Sequence, residues 1–129
     1  MSEPHGIILK ASDFQVQGKN VFVNPNKTGS VPGMLLIHGF FCHHCVKFMP
    51  TFNDIADNIG NGYCCASIES EELKGQDALT AALNFQGFPT ICFFNQNGMI
   101  MGQYDGARDK SSVLDVICKS YHHCIENHQ

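Results

Sequence analysis

The stretch that decides the fold is Met34-Leu35-Leu36-Ile37-His38-Gly39-Phe40-Phe41-Cys42-His43-His44-Cys45. It begins with a continuous apolar run, which is typical of a strand buried on both faces in the middle of a sheet. From Cys42 to Ile59 the apolar residues recur at three- and four-residue steps, which indicates an amphipathic helix. Pro50 lies inside this helix and is expected to kink it. The pair of cysteines therefore lies where a buried strand gives way to a helix.

This position predicts that Cys42 and Cys45 form a redox-active dithiol. The first-turn N–H groups of a helix have no intrahelical partners and the helix dipole is positive there, so both favour a thiolate at Cys42. Cys45 lies one turn deeper, where it is shielded and can resolve a mixed disulfide between Cys42 and a substrate. Imidazolium groups at His43 and His44 would stabilise the reduced pair, which predicts an oxidising or isomerising dithiol rather than a strong reductant.

The rest of the chain supplies the other elements of an α/β domain. Turn signals and periodicity predict a strand over 7–9, a hairpin over 16–23, a loop over 24–29, a strand over 63–68, a solvated loop over 69–72, a helix over 76–85, strands over 91–94 and 99–104, and a helix over 109–123. This order predicts a mixed central sheet of four to five strands with helices on both faces.

Composition excludes several classes of protein. With 129 residues, 43% of them hydrophobic and 16% charged, the chain is expected to fold as one domain and not to be disordered. The net charge of -4 argues against nucleic acid as a partner, and no apolar run approaches the roughly 20 residues of a membrane span. The first residues lack the pattern of a signal peptide, which predicts a cytoplasmic protein, with the endoplasmic reticulum as the alternative if a signal peptide has been removed.

Three of the other five cysteines are expected to have a structural role. Cys64, Cys65 and Cys92 fall in predicted strands and are expected to pack in the core, with the adjacent pair pointing to opposite faces of the sheet. Cys118 and Cys124 lie six residues apart on the predicted last helix, a spacing that does not place them on one helix face.

Four motifs in order resemble a thioredoxin-fold protein, and most closely the catalytic a-type domains of protein disulfide isomerases. Phe41-Cys42-His43-His44-Cys45 resembles their W-C-G-H-C site, and Pro50 matches their helix-kinking proline. Gly87-Phe88-Pro89-Thr90 resembles their cis-proline loop, and Tyr104-Asp105-Gly106-Ala107-Arg108 resembles their Y-x-G-x-R segment. The resemblance covers a core over residues 31–125 of a single domain, 1–129, and leaves residues 1–30 as a divergent N-terminal segment.

The resemblance implies a thiol–disulfide oxidoreductase that reduces, forms or isomerises disulfides in proteins. It implies a cis bond between Phe88 and Pro89, no bound cofactor or metal beyond the dithiol, and a reductase or oxidase that recycles the dithiol. The implied catalytic residues are Cys42, Cys45, His44, His43 and Arg108, and the implied substrate-binding residues are Phe41, Phe88, Pro89 and Gly106.

One position departs from the family's pattern. These proteins usually bury an acid six residues before the first cysteine, and here that position is Leu36. The proton of Cys45 would have to pass to His38, to His43 or His44, or to water, or Arg108 would have to favour its loss. His38 itself, on its strand, is expected to be a hydrogen-bonded core histidine.

Two other functions remain open on the sequence. The first is a partner-binding module with weak or no turnover, which the missing acid permits. The second is a metal or iron–sulfur protein. A zinc site would join the C-x-x-C pair to ligands from His122-His123-Cys124 and His128, whereas the resemblance to thioredoxin-fold glutaredoxins implies an iron–sulfur cluster shared between two chains.

Overall fold

The structure, a computed structural model, describes residues 3–124. In chain order its elements are β1 (Ile7–Ile8), β2 (Phe14–Gln17), β3 (Asn20–Val23), α1 (Pro25–Thr28), β4 (Gly33–His38), α2 (His43–Asn58), β5 (Cys64–Glu69), α3 (Asp77–Leu83), β6 (Thr90–Phe94), β7 (Ile100–Tyr104) and α4 (Lys110–Tyr121). Short 3-10 turns lie at Ala11–Asp13 and Ser70–Leu73. Within the described range, no helix is long and apolar enough to cross a membrane.

A mixed sheet of five strands forms the centre, in the order β1-β5-β4-β6-β7. β4 pairs in parallel with β5 and antiparallel with β6, and β6 and β7 form the antiparallel end. All six residues of β4 are buried, as expected for the middle strand of a sheet that is covered on both faces. The predicted α/β class and the thioredoxin-type mixed sheet are confirmed.

Alternating side chains of β4 build two cores. Met34 and Leu36 point into the core that contains residues of α2 and α4, whereas Leu35 and Ile37 point into the core on the opposite face, which contains residues of α3. Cys65 and Cys64 divide between the same two cores, which confirms that these adjacent thiols face opposite sides of the sheet.

The N-terminal segment contributes a hairpin. The predicted pairing is confirmed as β2 and β3, which form a separate antiparallel two-stranded sheet. Val21 and Val23 are buried in the same core as α3. The hairpin is tied to the turn before β7, because the Val23 N–H donates to the Gly98 carbonyl at 2.7 Å. Gly98 is required there, since a Cβ would overlap the carbonyl oxygen of Val23.

Two predicted loops contain short helical turns instead. Within residues 24–29, Pro25–Thr28 form the single-turn helix α1, because the Asn24 side chain accepts from the Asn26 N–H at 3.0 Å and Pro25 suits a first helical position. Residues 70–73 form a 3-10 turn in which Glu69 accepts from the Glu71 N–H at 2.8 Å.

The last helix is shorter than predicted, and this overturns the expectation for its cysteines. α4 ends at Tyr121 because His122 adopts the left-handed conformation and turns the chain back. Cys124 then meets Cys118, with their Cα atoms 4.3 Å apart, and the two form a disulfide. The prediction that these cysteines do not meet was wrong, because the helix ends between them.

Candidate functional site

Cys42 is the N-cap of α2, immediately before the first helical residue. Its Sγ accepts a hydrogen bond from the backbone N–H of Cys45 at 3.2 Å. The same sulfur, as a thiol, donates to the carbonyl oxygen of Phe88 at 3.5 Å. Cys42 is only partly buried and is not in a disulfide. The sulfur that the sequence assigned to attack is therefore at an open helix N-terminus, against the loop of Phe88.

Cys45 lies close to Cys42 but is 2% exposed. Burial raises the pKa of the Cys45 thiol from 9.0 to about 12, and the hydrogen bond with Cys42 adds to this rise. The positive charge of Arg108 acts in the opposite direction on the Cys45 pKa, although more weakly. Cys45 therefore holds its proton firmly, which suits a second sulfur that reacts only after the first.

His43 and His44 are the first two residues of α2. Both are exposed, and their ring centroids lie 6.0 Å apart. They are in the first turn next to Cys42, where the sequence placed them.

Apolar side chains lie on the dithiol segment and on the loop whose Phe88 carbonyl contacts the Cys42 sulfur. Phe41 is 74% exposed and packs edge-on against Phe88, with ring centroids 5.8 Å apart. Phe40 and Val46 are also exposed, at 42% and 43%. These side chains give the opening of the site an apolar surface. We define the apolar rim as Phe40, Phe41, Val46 and Phe88.

The peptide bond between Phe88 and Pro89 is cis, as the sequence predicted. A surface cavity of about 410 Å³ beside it is lined by four of the residues that the sequence singled out: Phe88, Pro89, Gly106 and Arg108. The structure thus brings the cis-proline loop and the segment before α4 together.

A tight turn holds the segment before α4. The Tyr104 hydroxyl donates to the Ala107 carbonyl at 2.5 Å. A Cβ at Gly106 would lie 2.6 Å from that hydroxyl oxygen, so the turn excludes larger residues. Asp109 then caps α4 by accepting from the Ser112 N–H at 2.8 Å. Arg108 is held between this turn and this cap and is exposed to solvent.

Position 36, where related proteins bury an acid, holds a fully apolar side chain in the structure. Leu36 is 1% exposed and packs in the core beneath α2, so no carboxylate is available at this point. His38 is also 1% exposed, but its Nδ1 has no hydrogen-bond partner among residues 3–124. The expectation of a hydrogen-bonded core histidine is therefore not met at this nitrogen. No sequence signal marked it, because the spacing of residues does not reveal which ring nitrogen is paired.

Two of the proposed C-terminal metal ligands, His123 and Cys124, are engaged in other contacts. Cys124 is in a disulfide, and His123 is held by a 3.0 Å contact between its Nε2 and the Ile59 carbonyl and by stacking on Tyr63. Over residues 3–124, no three His, Cys, Asp or Glu side chains are grouped so that they could hold a metal ion. His128, the other proposed ligand, lies outside the described residues.

Comparison with known proteins gives a consistent result. The sequence model of one family, Thioredoxin, matches residues 30–119. The protein disulfide-isomerase of Zea mays is 28% identical over 82 residues, which are 61% of this chain and 16% of the maize protein. The protein disulfide-isomerase of Saccharomyces cerevisiae is 26% identical over 121 residues, which are 90% of this chain and 22% of the yeast protein. The chain thus spans less than a quarter of the length of these relatives.

Among solved structures, the J-Trx1 fragment of ERdj5 superposes with a TM-score of 0.67 at 15% identity. The superposition covers 90% of this chain and 51% of the fragment. At this identity the likeness concerns the fold alone.

Proposed function

The chain belongs to the thioredoxin family and is similar to protein disulfide isomerases, and from this premise we propose that it is a thiol–disulfide oxidoreductase acting on protein cysteines. In this proposal Cys42 attacks, Cys45 resolves, and His43, His44 and Arg108 tune the two sulfurs.

The observation that carries the proposal is the unequal environment of the two sulfurs. Cys42 Sγ is partly exposed at a helix N-terminus and receives the Cys45 N–H at 3.2 Å, an arrangement that stabilises negative charge on sulfur. Cys45 is buried and protonated. One sulfur is thus accessible to a substrate, and the other is held in reserve within reach of the first.

The chemistry balances with the dithiol alone. The Cys42 thiolate attacks one sulfur of a substrate disulfide, a bond between Cys42 and the substrate forms, and the other substrate sulfur leaves as a thiolate that takes a proton from water. Cys45 then loses its proton and attacks Cys42 Sγ, which releases the second substrate sulfur. Two electrons pass to the substrate without a bound cofactor, and the reverse sequence oxidises a substrate dithiol. A separate reductase or oxidase resets the pair.

The surroundings favour an extended, partly apolar segment of a protein as the substrate. The apolar rim offers contacts to hydrophobic side chains of an unfolded chain. The backbone of the loop at Phe88 and Pro89 lies beside Cys42 Sγ, where it could pair with a substrate backbone as an added strand. Gly106 forms the other wall of the adjoining cavity.

The test is reduction of insulin disulfides and refolding of scrambled ribonuclease by the full chain. We expect Cys42→Ser to abolish both activities. Cys64→Ala is the matched control, because it removes a free thiol that lies at the opposite end of the sheet, paired in register with Gly33. Unchanged activity in Cys42→Ser would overturn the proposal.

The alternative of a partner-binding module without turnover is favoured by one observation, the buried Leu36 in place of an acid. Cys45→Ser separates the two functions, since this variant keeps the attacking sulfur and lacks the resolving one. Proteins captured through a disulfide to Cys42 support exchange chemistry. Capture that survives reductant supports the binding module instead.

We propose an oxidising compartment, such as the endoplasmic reticulum, as the place of action in preference to the cytoplasm. The disulfide between Cys118 and Cys124 supports this choice, because disulfides are rare in reducing compartments. Blocking free thiols in intact cells tests it: Cys118 and Cys124 should be protected from the alkylating agent, and their modification would argue for the cytoplasm.

A further inference from the structure

A cavity of about 240 Å³ lies between the end of β4 and the first turns of α2. His38 and Cys45 both line it, together with Phe40 and Val46. Because Phe40 and Val46 are each more than 40% exposed, the cavity reaches the surface. Its volume is ample for several water molecules, which need polar groups to bind. His38 and Cys45 are the side chains on its wall that can exchange a proton.

The His38 ring is unusual for a buried polar group. It is 1% exposed, and its Nδ1 has no hydrogen-bond partner in the part of the chain that the structure describes. A buried polar atom without a hydrogen-bond partner destabilises the folded state. A leucine or phenylalanine at this position would avoid that cost, so the nitrogen calls for a role other than packing.

The surroundings of His38 keep its ring neutral at pH 7, and one neighbouring charge favours its protonation. Burial lowers the pKa of His38 below 6.5, so the ring is neutral at pH 7 and free to take a proton. Glu69 stands opposite His38 in the register of β4 and β5, and its charge acts against this lowering of the pKa by favouring the imidazolium. A second cavity that His38 lines brings further charged groups toward the ring: Glu3, Lys10 and Glu72.

The resolving step needs such an acceptor. With a pKa of about 12, only about one Cys45 sulfur in 10⁵ is ionised at pH 7. Leu36 offers no group that could take the proton, and the exposed His43 and His44 do not line the cavity that contains Cys45.

We infer that His38 accepts the Cys45 proton through water in this cavity during the resolving step, an inference that rests on the proposed function. As the Cys45 sulfur attacks Cys42 Sγ, its proton moves to the imidazole, the disulfide between Cys42 and Cys45 forms, and the bond to the substrate breaks. The departing substrate thiolate then takes a proton from the imidazolium or from water. In the oxidising direction the imidazolium returns the proton to Cys45.

The experiment measures attack and resolution separately. The reduced full chain is mixed with a symmetric disulfide of a short cysteine-containing peptide, quenched with acid, and analysed by mass spectrometry for the mixed disulfide and the oxidised protein. In the wild-type chain we expect the resolution rate to level off above about pH 6.5. Direct loss of the proton to hydroxide would instead make the rate rise about tenfold per pH unit from pH 6 to 9.

Two substitutions complete the test. We expect His38→Gln, which keeps hydrogen-bonding atoms but does not titrate, to slow resolution at pH 7 by about 100-fold or more while attack by Cys42 keeps its rate. In this variant the resolution rate should rise about tenfold per pH unit from pH 6 to 9. His5→Gln is the matched control, since this histidine is on the surface, where its ring contacts Asp57 at 2.9 Å.

The outcomes separate this inference from the function beneath it. Resolution that is unaffected by His38→Gln, or a wild-type rate that rises steadily with pH, overturns the role of His38 and leaves the oxidoreductase standing. If the wild-type chain forms neither the mixed disulfide nor the oxidised protein, both the role of His38 and the proposed function are overturned. If His38→Gln does not fold, which loss of the attack step would reveal, the wild-type pH profile alone decides.

Discussion

Selective alkylation offers a direct check on the inequality between the two active-site sulfurs. At pH 7 a free thiol with a pKa of about 8.5 is about 3% ionised. With its pKa raised by burial to about 12, Cys45 is ionised to about one part in 10⁵. Because only the thiolate reacts, Cys45 should be alkylated about 3,000-fold more slowly than glutathione from ionisation alone. Its 2% exposure can only lower the rate further.

The assay places reduced protein, glutathione and iodoacetamide in one tube and follows each cysteine by mass spectrometry of peptides. We expect Cys42 to be modified first and the Cys45 rate to rise about tenfold per pH unit from pH 7 to 10. Cys92 is the internal control, because burial also raises its pKa to about 12 and its labelling reports opening of the whole domain. A Cys45 rate within tenfold of glutathione at pH 7, with Cys92 unlabelled, would refute the reasoning.

Three further predictions concern stability, geometry and redox potential. The three buried thiols of the strands should make the fold sensitive to alkali, because burial raises their pKa values from 9.0 to about 11–12. The stability that they contribute is fully present below pH 9 and is lost progressively as pH rises from 9 through 11–12. By pH 10 the loss should be about 4 kcal/mol. Denaturant unfolding at pH 8 and 10 measures this loss, which replacement by alanine should reduce; the thiols are Cys64, Cys65 and Cys92. Gly106→Ala should break the hydrogen bond between Tyr104 and Ala107 and lower the free energy of unfolding by about 1 kcal/mol or more. It should also raise the KM for a protein disulfide more than it changes the rate with a small disulfide. Equal effects on both substrates would contradict the role of Gly106 as a wall of the substrate site. The reduction potential of the dithiol should lie above about -270 mV, the value of thioredoxin, and replacing both His43 and His44 by glutamine should lower it by about 30 mV or more. A wild-type potential of about -270 mV would contradict the prediction that these histidines stabilise the reduced dithiol.

The sequence was sufficient to predict the central sheet because the signals that mark its strands and turns are local. The apolar run from Met34 to Ile37 identifies a strand buried on both faces, and a glycine such as Gly98 marks a hairpin turn. The dithiol could be placed at the start of α2 for the same reason, since the change of periodicity falls at Cys42.

The features that could not be predicted depend on contacts between distant residues. The unpaired Nδ1 of His38 is defined by what lies around it, and the strand pattern showed only that the residue is buried. The disulfide between Cys118 and Cys124 depends on a left-handed residue at His122, a conformation that histidine adopts too seldom to be read from the sequence. The single turn α1 is fixed by one cap at Asn24, which also suits an ordinary turn.

The N-terminal hairpin determines where this chain can be truncated without loss of part of its core. The family match begins at residue 30, yet Val21 and Val23 are buried, at 3% and 0% exposure, against side chains such as Phe94. A truncated chain that starts at residue 30 would uncover that apolar surface and free the turn at Gly98 from its tether to Val23. Such a fragment would tend to aggregate. During synthesis, the hairpin must wait for more than seventy further residues before its docking site emerges from the ribosome.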